Sequence, residues 1–277
     1  MREGNNNLEQ MISGTAQESQ PPTLPRLLLL AAHTDDETIG ASAALGRSIE
    51  PWVVYLTDSA PKRSKLRSRR LRREEYAALR EAEAQHALRV VGVPPHRILY
   101  LGGTDQDAVF TLDALVTHFL LAVSRIRPEW IVTHAYEGGH PDHDSAAFVA
   151  AMALHLLEQH QSGHPTLLEM TSYHADNRRL GSGSFLAGQD QGWPVWLNSE
   201  ELSRKREMLA CYSSQTKVLR EFPLEPERLR RAPEYDFTQP PHPGKLWYEH
   251  MGWEMRGAQW CKLARQAMQR FSWPIAS

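Results

Sequence analysis

The feature that most constrains this chain is an alternation in its first half, where short apolar runs are separated by longer stretches with apolar residues at every third or fourth position. The runs are Leu27 to Ala32, Trp52 to Thr57, Arg97 to Leu101 and Trp130 to His134. The stretches are Thr38 to Ser48, Lys65 to Val91, Leu112 to Ile126 and Asp144 to Gln159. Parallel strands need long crossovers, usually helices, so the alternation predicts an α/β sandwich of three layers around a mostly parallel sheet. Near-continuous apolar strands fit this arrangement, because helices then cover both faces. Gly92 and Pro128 are placed to end two of the helices.

Further along, Leu167 to Tyr173 reads as a fifth strand and Ser199 to Tyr212 as a helix with Ser199 at its N-cap. Prolines between Phe222 and Lys245, including Pro240, Pro241 and Pro243, predict irregular or extended chain. Residues 1–25 are rich in Asn, Gln, Ser, Glu and Pro, lack the apolar centre of a signal peptide, and read as a flexible tail. The expected organisation is a single domain: this tail, an α/β core over 26–175, and a helical and irregular extension over 176–277. The extension is expected to lie on the core and shape the substrate mouth.

Composition excludes several classes. Hydrophobic residues at 41% and charged residues at 23% are ordinary globular usage, which excludes a fibrous or wholly disordered chain. No apolar run approaches the roughly 20 residues of a membrane helix, so we expect no stable membrane insertion and a cytoplasmic location. A net charge of -2 supplies no field for nucleic acid. Cys211 and Cys261 are too few for a disulfide framework. Charge is nevertheless uneven: Lys62, Arg63, Lys65, Arg67, Arg69, Arg70, Arg72 and Arg73 form a basic run, with Glu74, Glu75, Glu81 and Glu83 close behind. That run suits an anionic substrate and a solvated helix start equally well.

Chemistry-bearing residues cluster after two of the strands, where open α/β sheets place their sites. The first strand runs into His33-Thr34-Asp35-Asp36-Glu37, and the fourth into His134, Tyr136, Glu137, Gly138, Gly139 and then His140-Pro141-Asp142-His143. Hydrolytic zinc sites take three protein ligands, commonly two His and one carboxylate, and leave a position for water. His33, Asp36 and His143 supply that set for zinc or another divalent metal, one ion per chain. Asp35 is the candidate general base. His140 is a candidate acid or electrostatic stabiliser, and Asp142 is placed to orient His140 or a ligating imidazole. His134 reads as a core histidine, and His86, His96, His118, His155, His160 and His164 as non-ligands. Trp193, Trp196, Trp247 and Trp253 read as packing residues of the extension rather than sugar-stacking ones.

These two segments resemble the motifs of the PIG-L/LmbE family of zinc-dependent N-acetylglucosaminyl deacetylases and related amidases. The likeness spans roughly residues 26 to 175. It implies a Rossmann-like sheet, the same ligands and base, and removal of an acyl group from the amide nitrogen of an amino sugar or similar small amide. It also points to Arg80, in Arg80-Glu81-Ala82-Glu83, and to Asp105, after Gly102-Gly103, as substrate-binding residues. Two departures stand out: Thr34 replaces the family's proline, and Gly138 and Gly139 stand where some relatives carry a carbonyl-polarising Tyr. Tyr136, Glu137 and His174 are the candidates to replace it. The implied partner is a small N-acylated, sugar-containing molecule, and a homo-oligomer is compatible with everything above. Two rival readings stay open, a metal-dependent phosphoester hydrolase and a non-catalytic metal-binding α/β ligand module.

Overall fold

The structure, a computed structural model, describes residues 8, 9, 11, 12, 21–62, 71–159 and 165–273. Five strands pair in parallel: β1 (Leu27–Ala31), β2 (Pro51–Thr57), β3 (Ile98–Gly103), β4 (Trp130–His134) and β5 (Thr166–Met170). A separate hairpin follows, β6 (Tyr173–Asp176) and β7 (Arg179–Ser182). Two further strands, β8 (Trp193–Val195) and β9 (Glu227–Arg231), extend the sheet antiparallel beyond β5, so its order is β3-β2-β1-β4-β5-β9-β8. The helices are α1 (Asp36–Gly40), α2 (Ser42–Arg47), α3 (Arg73–Val90), α4 (Leu112–Ile126), α5 (Pro141–Gln159), α6 (Ser199–Cys211), α7 (Thr216–Leu219), α8 (Trp247–His250) and α9 (Gly257–Arg270).

Every residue of β1 is buried, and alternate side chains serve two cores. Leu28 and Leu30 join Val54, Ile131, Phe119, Phe148 and Trp260 beneath α4, α5 and α9. Leu27 and Leu29 join Val53, Val132, Leu45, Leu88 and Met208 beneath α2, α3 and α6. Each such leucine contributes about 1.5–3 kcal/mol by leaving water. Ala108–Ile126 is long and apolar enough to cross a membrane, with mean hydropathy 1.6, yet Leu112, Leu115, Val116, Phe119, Val123 and Ile126 all face the first core. Cys211 and Cys261 are free thiols.

The chain leaves β1 toward β2 on one side and leaves β4 toward β5 on the other, although β1 and β4 are neighbours. Their carboxyl ends therefore open a crevice at the point where the strand order reverses.

Several elements differ from the sequence-based expectation. The helix over Thr38 to Ser48 is two helices broken at Ala41, because the Glu227 carboxylate accepts the backbone N–H groups of Ser42 (3.1 Å) and Ala43 (3.1 Å) and so starts a second helix. The N-cap of α6 is Asn198 rather than Ser199, its side chain accepting from the N–H groups of Glu200 and Glu201. Helix α5 starts three residues early because Pro141 suits a first helical position. The strand expected to reach Tyr173 stops at Met170, and Tyr173 opens the hairpin.

The proline-rich stretch contains β9, whose charged residues find buried partners: Glu227 meets Lys205 at 2.7 Å and Arg230 meets Glu169 at 2.9 Å. The tail is not free throughout, since Leu8 and Ile12 are buried in the second core and Leu24 bridges to Ser48. Helix α9 ties the extension to the core, its Trp260 Nε1 donating to the Pro141 carbonyl at 3.1 Å. Residues 63–70 of the basic run, and His160 and His164, lie outside the described residues. Of the rest of that run, Lys62 pairs with Asp107, Arg72 with Glu75 and Arg73 with Asp58.

Leu29→Ala should lower the unfolding free energy by about 2–5 kcal/mol, the cost of a cavity in a closely filled wall. Urea denaturation followed by circular dichroism measures it, and a change below about 1 kcal/mol would show that β1 is not the shared wall of two cores.

Candidate metal centre

The loop after β1 is a tight turn built from its own side chains. The His33 N–H donates to Asp36 Oδ2 at 2.7 Å, and the Asp36 N–H donates to the His33 carbonyl at 3.4 Å. Asp35 sits at φ 112, a conformation that costs a non-glycine residue about 1–3 kcal/mol and must be held from outside. Glu37 holds it. Its fully buried carboxylate accepts the Asp35 N–H at 2.9 Å, the Thr38 hydroxyl at 2.6 Å and the Tyr212 hydroxyl. The Thr34 N–H donates to Ser59 Oγ at 2.8 Å, a bond that a proline there has no hydrogen to make.

The second loop turns on Gly138 and Gly139. A Cβ at Gly139 would lie 1.8 Å from the Tyr173 carbonyl oxygen, so only glycine lets the two loops close on each other. The Gly138 N–H donates to Asp144 Oδ1 at 2.9 Å. Helix α5 then starts with Asp142 and His143 in its first turn, directed back toward the β1 loop.

His33, Asp36 and His143 meet here. His33 Nδ1 is 3.4 Å from Asp36 Oδ2, and His143 Nε2 is 3.3 Å from Asp36 Oδ1. Ligands about 2.0–2.2 Å from one tetrahedral ion stand roughly 3.3–3.5 Å apart, so these separations suit shared coordination. His143 is 2% exposed, yet neither of its ring nitrogens has a hydrogen bond. An imidazole buried without partners is costly unless something else occupies its lone pair, and a divalent ion is what this donor set fits. His134 differs, because Nε2 accepts from the Ala32 N–H (3.0 Å) and Nδ1 meets Ser172 Oγ (2.7 Å). It stacks on His143 at 4.0 Å as a core histidine.

Asp142 accepts the backbone N–H groups of Gln106 (2.6 Å) and Ala108 (3.2 Å), and its Oδ2 lies 3.1 Å from His33 Nε2. Of the two imidazoles it was expected to orient, it therefore faces His33. His140 Nδ1 accepts the Asp142 N–H at 3.1 Å, which leaves Nε2 as a donor, 3.9 Å from Asp105 Oδ1. Asp105 Oδ1 is also 3.5 Å from His33 Nε2. His33, Asp105, His140 and Asp142 thus form a second group of potential ligands that shares His33 with the first.

Arg80 is buried and committed, donating to the Thr34 carbonyl and to Asp35 Oδ2, the latter at 2.8 Å, with Glu83 at 3.7 Å. It lines the cavity from behind the base rather than offering a free guanidinium. Tyr136, Glu137 and His174 do not line the cavity. The Tyr136 hydroxyl donates to the Gln239 carbonyl, Glu137 accepts the Leu186 N–H, and His174 lies 3.4 Å from Glu137. Tyr173 lines the cavity instead, its ring 5.0 Å from that of His143. Trp253, expected only to pack the extension, also lines the cavity, and the sequence reading gave Glu37 and Tyr173 no role at the site. The position of Tyr173 just beyond a parallel strand was the available signal.

Burial pushes the Asp35 carboxyl up to about 7, with the Arg80 guanidinium opposing it. Burial, with His134 alongside, pushes His143 down to about 3, which leaves the imidazole neutral as a ligand must be. Burial alone would raise Asp36, but the imidazoles of His143 and His134 hold it well below the usual range. His140 is pushed well below the ordinary histidine range by burial and by the rings of His33 and His143, so it is a neutral N–H donor and not a stored proton. A cavity of about 190 Å³ lies over these groups, closed on one side by Trp253 against the edge of His140 at 4.6 Å.

Glu37→Ala would strand the Asp35 N–H and the Tyr212 hydroxyl and should cost about 1–3 kcal/mol for each. Tyr212→Phe, which removes one donor, should cost about 1 kcal/mol. Denaturation midpoints measure both, and a Glu37→Ala variant as stable as the parent would remove Glu37 from its bracing role.

Residues 28–154 match the family model described as PIG-L: GlcNAc-PI de-N-acetylase. A 1D-myo-inositol 2-acetamido-2-deoxy-alpha-D-glucopyranoside deacetylase of Catenulispora acidiphila is 32% identical over 171 residues, covering 52% of this chain and 52% of that protein. The deacetylase of the same description from Geodermatophilus obscurus is 30% identical over 156 residues, covering 47% and 52%. The chain spans about half the length of the curated relatives it matches. Among solved structures, the pseudoaglycone deacetylase Dbv21 superposes with a TM-score of 0.53 at 18% identity, covering 70% of this chain and 84% of that one. A deacetylase–teicoplanin complex gives 0.51 at 15%, covering 70% and 89%. At those identities the likeness is one of fold. The likeness to the PIG-L model is thus confined to residues 28–154, the stretch that carries both site loops.

Proposed function

We propose that the chain is a metal-dependent hydrolase that removes an acetyl or acyl group from the amide nitrogen of an amino sugar or related small amide. The observation that carries this reading is His143, buried with both ring nitrogens unbonded beside Asp36 and His33 at the floor of a cavity. The names of the relatives, deacetylases of an N-acetylated sugar, support it.

His33, Asp36 and His143 would hold the ion, zinc by its preference for this N/O set. A divalent ion bound there polarises a carbonyl and lowers the pKa of water to roughly 7. Asp35 receives the proton of the attacking water, held in place by Glu37 and Arg80 so that its carboxylate faces the cavity. His140 donates its Nε2–H to oxygen at the reacting carbon, and Asp142 keeps His33 oriented through Nε2. The proton that Asp35 has taken is the one available to the departing amine, since neutral His140 has none to spare. Tyr173 and Trp253 wall off water from the sugar. A cytoplasmic place of action goes with this reading.

The second ligand group is the one observation favouring two-metal phosphoester chemistry. Both groups draw on His33, so the donor set serves one ion well and two poorly.

Asp35→Asn should retain one equivalent of metal and lose about a hundredfold or more in kcat, while His143→Ala should lose the metal itself. Elemental analysis together with acetate release from a panel of N-acetyl glucosaminides reads both. Chelation should abolish turnover and added zinc restore it. Full activity in metal-loaded Asp35→Asn, or in metal-free protein, would sink the mechanism.

A further inference from the structure

Both holds on Asp35 lead to one turn of the extension. The Asp35 N–H donates to Glu37, which also takes the Tyr212 hydroxyl, and the Asp35 carboxylate is gripped by Arg80. Arg80 shares a face of α3 with Tyr76 and Glu83, spaced four and three residues from it and all buried. Opposite them run residues 212–215, between α6 and α7 and outside residues 28–154 that match the family model. Gln215 Nε2 donates to the Tyr76 hydroxyl at 2.6 Å. Glu83 Oε1 accepts the Ser213 hydroxyl and the Ser214 N–H, each at 2.9 Å, and Oε2 accepts the Ser214 hydroxyl at 2.6 Å.

Those three donors decide where Arg80 goes. A guanidinium between two buried carboxylates is drawn to both, and the one already satisfied by other donors draws it less. Here that one is Glu83. Arg80 Nη2 donates to Asp35 Oδ2 at 2.8 Å, whereas Nη1 stands 3.7 Å from Glu83 Oε2 and 3.5 Å from Ser214 Oγ. Arg80 Nε is buried with no hydrogen bond, so nothing at that nitrogen resists a stronger pull. Arg80 lines the cavity, and Glu83, Ser213 and Ser214 do not, so their effect on the reaction passes through it.

We propose that Glu83 and Ser214 are positioning residues for the general base. The turn of the extension satisfies Glu83, Arg80 is left to Asp35, and Asp35 is fixed over the cavity. The role of Asp35 rests on the deacetylase reading, but the hold on Arg80 can be read without turnover.

The test uses the metal-loaded full chain and follows acetate release from N-acetyl glucosaminides. Ser214→Ala should lower kcat about tenfold through a slightly misplaced base, with KM and metal content unchanged. Ser214→Thr, which keeps the hydroxyl, should recover most of the loss. Added to Arg80→Lys, Ser214→Ala should change kcat by no more than about twofold, since the guanidinium that carries its effect is gone. A loss carried by KM, a Ser214→Thr as poor as Ser214→Ala, or the full loss in the Arg80→Lys background would each overturn the proposal. If Arg80→Lys does not fold, the alanine and threonine variants decide it. Nitrogen NMR of the arginine side chains reads the hold directly: the separate Nη signals of a fixed guanidinium should merge in Ser214→Ala and in Glu83→Gln, and signals unchanged in both would overturn the hold. If no N-acetyl compound is hydrolysed by the parent, the deacetylase reading fails and the NMR comparison still decides whether the turn fixes Arg80.

Discussion

The burial of charge at the mouth of the sheet is the constraint on which the rest of this structure depends. Asp35, Asp36, Asp105 and Asp142 lie within a few ångströms of His33, His140 and His143, and none is more than a tenth exposed except His33. Ionised groups removed from water are tolerated only when each has a partner of fixed position. The surrounding architecture supplies those partners: backbone N–H groups from the loop after β3 for Asp142, Arg80 from α3 for Asp35, and the imidazoles themselves for Asp36. His143 stands 3.3 Å from Asp36 Oδ1 yet has no hydrogen bond at either ring nitrogen, which is why it carries the functional reading.

The same requirement explains groups that have no part in chemistry. Glu37 is wholly buried, and its three donors turn a charge that would destabilise the loop into the element that fixes Asp35 in a left-handed conformation. Glu227 and Lys205 repeat the pattern elsewhere, where one carboxylate starts α2, ends the continuity of α1 with it, and fastens β9 to α2 and α6. A pairing of this kind contributes position more than net stability, because desolvation offsets much of the attraction.

The extension is joined to this system at the centre. Trp260 bonds to the carbonyl of Pro141, the residue that opens α5, and Trp253 leans on His140. Residues far beyond the family motifs therefore set walls of the cavity. In the proposed reaction, substrate choice would fall to those walls and the chemistry to the two loops.

The chain's own order of residues determined the parallel strands and the two loops at their ends, and it singled out His33, Asp36 and His143, which the fold brings together, because hydrophobic period and ligand chemistry are local properties. It was silent on β9, whose Glu-Arg-Leu-Arg-Arg run looks solvated until Lys205 and Glu169 are seen beside it. Only the tertiary structure decided that Arg80 serves Asp35, that Asp142 faces His33, and that Tyr173 rather than Tyr136 reaches the cavity. The physical reason is the same in each case. Which partner a polar group takes depends on what the folded chain brings within about 3 Å of it, and that is set by contacts between residues as much as 185 positions apart, as between Ser42 and Glu227.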